Sequence, residues 1–198
     1  MTMNHSKIVA LRGCPALILA LLCAGCLAPR LDNSSGETLS SSDRADMDSS
    51  ATRALNELYA ANSAARELGR KAKAVLVFPD VVKGGFMIGG QMGNGVLRHR
   101  GRTIGYYNLT AASYGFQAGL QSFGYALFLM NNSAIDYLNT SAGWEVGVGP
   151  SLVVVDEGMA RTMTSTTLRD DVYAFVFGQR GLMAGAGLQG SKITRIDQ

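Results

Sequence analysis

Gly85-Phe-Met-Ile-Gly89, Gly115-Phe-Gln-Ala-Gly119, Gly143-Trp-Glu-Val-Gly147 and Gly181-Leu-Met-Ala-Gly185 repeat one pattern: glycine, a large apolar residue, two further residues, glycine. Their spacing wanders, which excludes the fixed repeat of a stacked solenoid. A glycine in a helix interior costs about 1 kcal/mol relative to alanine, and 20 of the 24 glycines lie from Gly84 onward. The C-terminal two-thirds is therefore read as strands. Residues four apart in a strand point the same way, so each copy sets both glycines on one face and its bulky residue on the other. The bulky face collects Phe86, Ile88, Phe116, Ala118, Leu120, Trp144, Val146, Val148, Leu182 and Ala184, and is expected to be core. The glycine face carries Gln91, Gln117, Gln121, Glu145 and Gln189 and is expected to be the solvated side, open to close approach of another backbone or a ligand.

Working outward, Val75-Leu-Val-Phe78 before Pro79 reads as a short buried strand with a stop. Tyr125–Met130, Val153–Val155 and Val172–Phe177 are further β-type runs. Ser133 is placed to cap a short helix carrying Ile135, Tyr137 and Leu138, and a second helical turn is expected over Ser165–Asp171. Ahead of the sheet, Ala51, Leu55, Leu58, Ala61, Ala65, Leu68 and Ala72 recur at steps of three or four, the stripe of one long helix capped by Ser49 or Ser50. The expected fold is α+β: a strongly curved antiparallel β-sheet or small barrel, one long N-terminal helix and one or two short helices.

The chain has 198 residues, 47% hydrophobic and 17% charged, enough for one domain with a core. Residues 1–25 read as a signal peptide: Lys7 and Arg12 precede the apolar run Pro15–Gly25, which is short for a bilayer span. Ala24 and Gly25 before Cys26 resemble the lipobox of bacterial lipoproteins, with Cys23 where that motif usually has leucine; cleavage by the ordinary signal peptidase is the alternative. Acylated Cys26 would hold the chain on a membrane. Leu27 after it, by resemblance to the sorting rule of Gram-negative lipoproteins, points to the outer membrane, facing the periplasm or the cell surface. Residues 26–50 are the lipidated cysteine and a flexible tether, rich in Ser, Asp and Glu from Asp32 to Ser50. The domain is expected over 51–198.

The chemistry available is narrow. All three cysteines (Cys14, Cys23, Cys26) precede Pro29, and His99 is the one histidine beyond the signal peptide. Thiol catalysis, zinc clusters and multi-histidine metal sites are not expected, and no cofactor is implied. The formal charge of +3 falls to +1 without Lys7 and Arg12, too little for a general nucleic-acid binder. Gly185–Gly190 spells a dinucleotide fingerprint, but the chain ends at Gln198, before the helix and acid the motif needs. Asp156 and Glu157 adjoin in sequence and would point to opposite faces, so paired carboxylate catalysis is not expected. The candidate binding residues are basic: Arg66, Arg70, Lys71 and Lys73 along the helix end, and Lys83, Arg98, Arg100 and Arg102, the last three in a turn between two strands that also holds His99. Guanidinium forks match phosphate oxygens. The same charges also suit a helix C-terminus and a soluble hairpin tip.

Leu76-Val-Phe-Pro-Asp-Val-Val-Lys-Gly-Gly-Phe86, Ser113-Tyr-Gly-Phe-Gln-Ala-Gly-Leu-Gln-Ser122, Trp144–Gly149 and Val172-Tyr-Ala-Phe175, in that order between about Leu55 and Ile196, resemble the SYLF domain family and its bacterial lipoprotein members. The resemblance implies binding rather than catalysis. Eukaryotic members are similar to phosphoinositide-binding modules, with a basic amphipathic N-terminal segment on the membrane and, in some, association with actin. Here the matching segment ends in Arg66, Arg70, Lys71 and Lys73, and the ligand class carries over as anionic phospholipid. The expected function is a membrane-anchored envelope lipoprotein whose domain binds phospholipid or another amphiphile without catalysis; the alternative is a structural or protein-interaction module with an envelope protein as partner.

Overall fold

A computed structural model describes residues 39–139, 144–145, 151–155 and 170–196, all within one compact unit, Gly36–Gln198. Cys26, the tether up to residue 38, Val146, Val148, Asp156, Glu157 and most of the turn expected over Ser165–Asp171 lie outside the described residues.

Helix α1 spans Ser41–Ala61 and α2 Ser63–Lys71. The first begins earlier than the apolar stripe does, because Ser40 and Asp43 form a reciprocal capping box: the Ser40 hydroxyl accepts from Asp43 N, and Ser40 N donates to the Asp43 carboxylate. Residues 41–50, expected in the tether, are therefore helical. Asn62 separates the helices. It leaves helical geometry at φ −133° and its side chain accepts from Ala65 N at 3.0 Å, capping α2. Ala51, Leu55, Leu58, Ala65 and Leu68 of the expected stripe are buried.

Three long antiparallel strands carry the sheet: β1 (Ala74–His99), β2 (Arg102–Leu129) and β5 (Val172–Ile196). Helix α3 (Asn132–Leu138), capped by Asn131 rather than Ser133, and the short β3 (Trp144–Glu145) and β4 (Leu152–Val155) intervene. The strand order is β1-β2-β5-β3, and β4 pairs with β5 in parallel, so the sheet is mixed rather than wholly antiparallel. Pro79 does not stop β1. The register shifts between Phe78 and Val81, and this bulge takes in a residue with no N–H to give the ladder. Arg100 and Gly101, both at positive φ, make the tight β1–β2 turn, the geometry whose twist matches paired strands.

Extended straight, the 26 residues of β1 would span about 86 Å. Instead its ends meet: His99 Nδ1 lies 2.5 Å from the carbonyl oxygen of Lys73. Gly93 sits against Val81, and Gly95 lies under the ring of Phe78. The ribbon is folded in half, and the crease runs through the glycine motifs, where Gly85 packs on the backbone of Gly89 so closely that no Cβ fits. Met87, between them, has φ 60°. On the adjoining strands the crease passes Gly119 (φ 141°) and Gly181 (φ 88°). The two arms of the folded ribbon enclose Leu76, Phe78, Val81, Leu97, Tyr107, Leu109, Leu127, Leu129 and Ile193, with Ala134 and Leu138 of α3 in the same cluster. The alternate residues Val75, Val77, Val96, Tyr106, Ala126, Phe128, Tyr173 and Phe175 pack with α1 and α2.

This overturns the expected core. Phe86, Ile88, Leu120 and Leu182 are 76%, 69%, 64% and 89% exposed, and Ala118 is exposed too. Gln91, expected on the solvated face, is buried. On the tight inner side of the crease no Cβ fits at Gly85, Gly119 or Gly181, and Phe86, Ile88, Leu120 and Leu182, on the opposite face, are turned outward. The side chains of Phe116, Gln117, Trp144, Glu145, Ala184 and Gln189 lie outside the described set.

Candidate functional site: an apolar crest on a folded sheet

The crest is built by register. Gly84 pairs with Leu120 and Leu120 with Leu182, while Phe86 pairs with Ala118 and Ile88 with Tyr114. Directly paired residues share a face, and a Cβ on Gly84 would meet the Leu120 side chain at 3.1 Å. Phe86, Ile88, Tyr114, Leu120 and Leu182 thus form one outward surface, extended by Met92, which is 65% exposed. Single exposed leucines are ordinary; a contiguous set of large apolar side chains marks an interaction surface.

The long strands carry no acid across the crest, although Glu145 of β3 lies opposite Lys192. No aspartate or glutamate occurs from Val81 to Ile135 or from Val172 to Ile196. Arg180 and Lys192 are exposed on β5, and Lys83 is half-buried on β1.

The remaining basic candidates gather elsewhere. The contact between Lys73 and His99 brings the end of α2 beside the β1–β2 turn, about 35 Å of strand from the crease. Arg70, Lys71, Lys73, Arg100 and Arg102 are exposed there. Three of the side chains do structural work. Arg66 donates from Nε and Nη2 to the carbonyl of Tyr59, closing the end of α1 onto α2. Lys71 pairs with Glu67 at 2.7 Å, and this hydrogen bond and charge hold the Glu67 carboxyl below its usual pKa. Arg98 donates to the Asp48 carbonyl and to Thr52 Oγ1, each at 2.7 Å, clamping α1 to the strand. Asp48 completes that clamp by accepting from Thr103 Oγ1 at 2.7 Å and from the Tyr106 hydroxyl at 3.3 Å. Burial first, then the Asp48 charge, raises the pKa of Tyr106. Of the expected basic set, only Lys83 lies near the crest.

Sequence reasoning missed Arg180 and missed the outward direction of the bulky residues. Two signals were present: the acid-free stretch after Asp80, and three glycine motifs that the register places side by side. Among the described residues no helix is long and apolar enough to cross a membrane, and no three His, Cys, Asp or Glu converge on a metal-sized site.

Residues 110–198 match the family model described as Ysc84, Las17-binding protein actin regulator. The matched segment contains most of β2 and all of β5, two of the three strands that build the crest. No curated protein matches the chain.

Proposed function

From the premise that segment 110–198 belongs to the SYLF family of lipid-binding or protein-interaction modules, we propose that this chain binds a phospholipid bilayer without catalysis and seats the crest in it. The observation that carries this reading is the outward set Phe86, Ile88, Leu120 and Leu182, on three long strands that hold cations and no acid after Asp80. Transfer of a leucine side chain from water into an apolar phase is worth about 1.5–3 kcal/mol. Arg180, two residues from Leu182, would meet lipid phosphates at the level where the leucines enter. Cys26, once acylated, would keep the chain on the envelope membrane, with two or three acyl chains supplying the anchorage and the crest supplying orientation. Arg70, Lys71, Lys73, Arg100 and Arg102, at the other end of the strands, serve a secondary electrostatic contact.

The test is vesicle flotation at low salt of the full chain carrying Cys26→Ser, so that no acyl anchor contributes, on vesicles of phosphatidylglycerol and phosphatidylethanolamine. The protein is expected to float. The double variant Leu120→Ser, Leu182→Ser is expected to lose tenfold or more in partitioning, since each 1.4 kcal/mol is about tenfold. Absence of flotation by the parent protein removes the proposal. Flotation that the double variant leaves intact moves the contact from the crest to the basic end.

A further inference from the structure

Where the buried arm gives way to the crest, all three long strands are irregular at one level. β1 bulges between Phe78 and Val81, β2 shifts register against β5 between Ser122 and Gly124, and Gly178 on β5 has φ 60°. Bulges re-aim side chains and open sheets locally. Here they leave a cleft of about 330 Å³ under α1, lined by Arg53, Glu57, Asp80, Ser122, Phe177 and Arg180 among others. Two guanidinium groups and two carboxylates therefore share one small space. Among the described residues none of the four pairs with another; Arg53 donates to Ser50 Oγ at 3.0 Å.

We infer that this cleft holds the phosphate–ammonium headgroup of a zwitterionic phospholipid, an inference that rests on the bilayer-binding reading and names its ligand. A simple anion would meet Glu57 and Asp80, and a simple cation would meet Arg53 and Arg180. A ligand with both charges a few ångströms apart satisfies the set: the guanidiniums take the phosphate oxygens, and the carboxylates accept from the ammonium. The direction of exit supports a lipid source. Leu120 is two residues from Ser122, and Leu182 two residues from Arg180, on the same face and about 7 Å further along the strands. Acyl chains leaving the cleft would run directly over the crest leucines.

The test uses soluble probes with the full chain carrying Cys26→Ser, followed by phosphorus NMR titration for the phosphate probes and calorimetry for all. Glycerophosphoethanolamine is expected to bind, with glycerol phosphate and ethanolamine each at least tenfold weaker. Asp80→Asn with Glu57→Gln, and separately Arg180→Gln, are expected to weaken glycerophosphoethanolamine at least tenfold; these are exposed side chains, and circular dichroism checks the fold. Glu67→Gln, remote on α2, is the control and is expected to bind as the parent does. The inference is overturned if glycerol phosphate binds as tightly as glycerophosphoethanolamine, or if the cleft variants bind it undiminished. Because a soluble headgroup requires no bilayer, its titration reads the cleft alone and flotation reads the crest, so failure of either reading is visible separately.

Discussion

The arms and the crest are the same three strands with the same period-two alternation, yet they end in opposite environments. In the arms both faces are covered: Leu76, Leu127 and Ala174 point between the arms, while Val77, Phe128 and Phe175 point to the helices. Those segments accordingly read as unbroken apolar runs, the signature of strands buried on both sides. At the crest one face has collapsed onto glycine backbone, and among the described residues the other has nothing over it. The lesson is that apolar side chains of one strand serve stability or binding according to the curvature beneath them, not according to their hydrophobicity.

If the arms are the structural half, truncation there should have the largest effect. Leu127→Ala, at a fully buried inter-arm site, is expected to cost about 2–5 kcal/mol in denaturant unfolding. A loss under 1 kcal/mol would mean that the arms do not share a tight interior. Next comes the crease itself. Gly85→Val forces a side chain onto the Gly89 backbone and is expected to cost about 1–3 kcal/mol, with wild-type stability as the contrary result.

The clamp between helix and second arm follows. Asp48→Ala leaves the Thr103 hydroxyl without its 2.7 Å acceptor and is expected to cost about 1–2 kcal/mol, read as a lower thermal midpoint. Leu182→Ser should then separate the two regions most clearly: a change within about 0.5 kcal/mol, together with weakened flotation. A large destabilisation by Leu182→Ser would place the crest inside a core.

The smallest effect is a pH slope confined to the arm ends. Asp171 accepts from the Asn131 side chain and from Ser151 N and Oγ, and these hydrogen bonds, that from Asn131 foremost, hold its pKa below the usual 3.8. A folded pKa below the unfolded one contributes stability that is present above about pH 4 and is lost as the pH falls through the folded value. Asp171→Asn should therefore flatten the acid side of the stability profile slightly. An unchanged slope below about pH 4 would show that Asp171 is not held in the folded state.

Much of the fold was legible because its causes are local. The helical stripe from Ala51 to Leu68, the β-type runs, the short helix after Leu129 and the basic turn at Arg100-Gly101 all follow from periodicity, propensity or turn chemistry within a few residues. The α1 start is hidden in the sequence because its Ser and Asp residues match a tether in composition, although Ser40 and Asp43 have the spacing of a capping box. The β1 bulge escaped for a related reason: proline is a stop signal only where the ladder needs its N–H. The candidate site was half legible. Alternation puts Phe86, Ile88, Leu120 and Leu182 on one face but not on the outside, and Arg98 and Arg66, expected as ligand groups, are engaged with Asp48, Thr52 and Tyr59.

The sequence by itself determined which residues share a face, where glycine replaces bulk and which strands carry no acid, since these depend on a two-residue period and on composition alone. Only the tertiary structure decided that β1 folds back until Lys73 and His99 touch. That fold turns the glycines inward and Phe86, Ile88, Leu120 and Leu182 to the outside. A crease has an inner radius, and which face of a sheet becomes the inner one is settled by contacts between residues far apart in the chain.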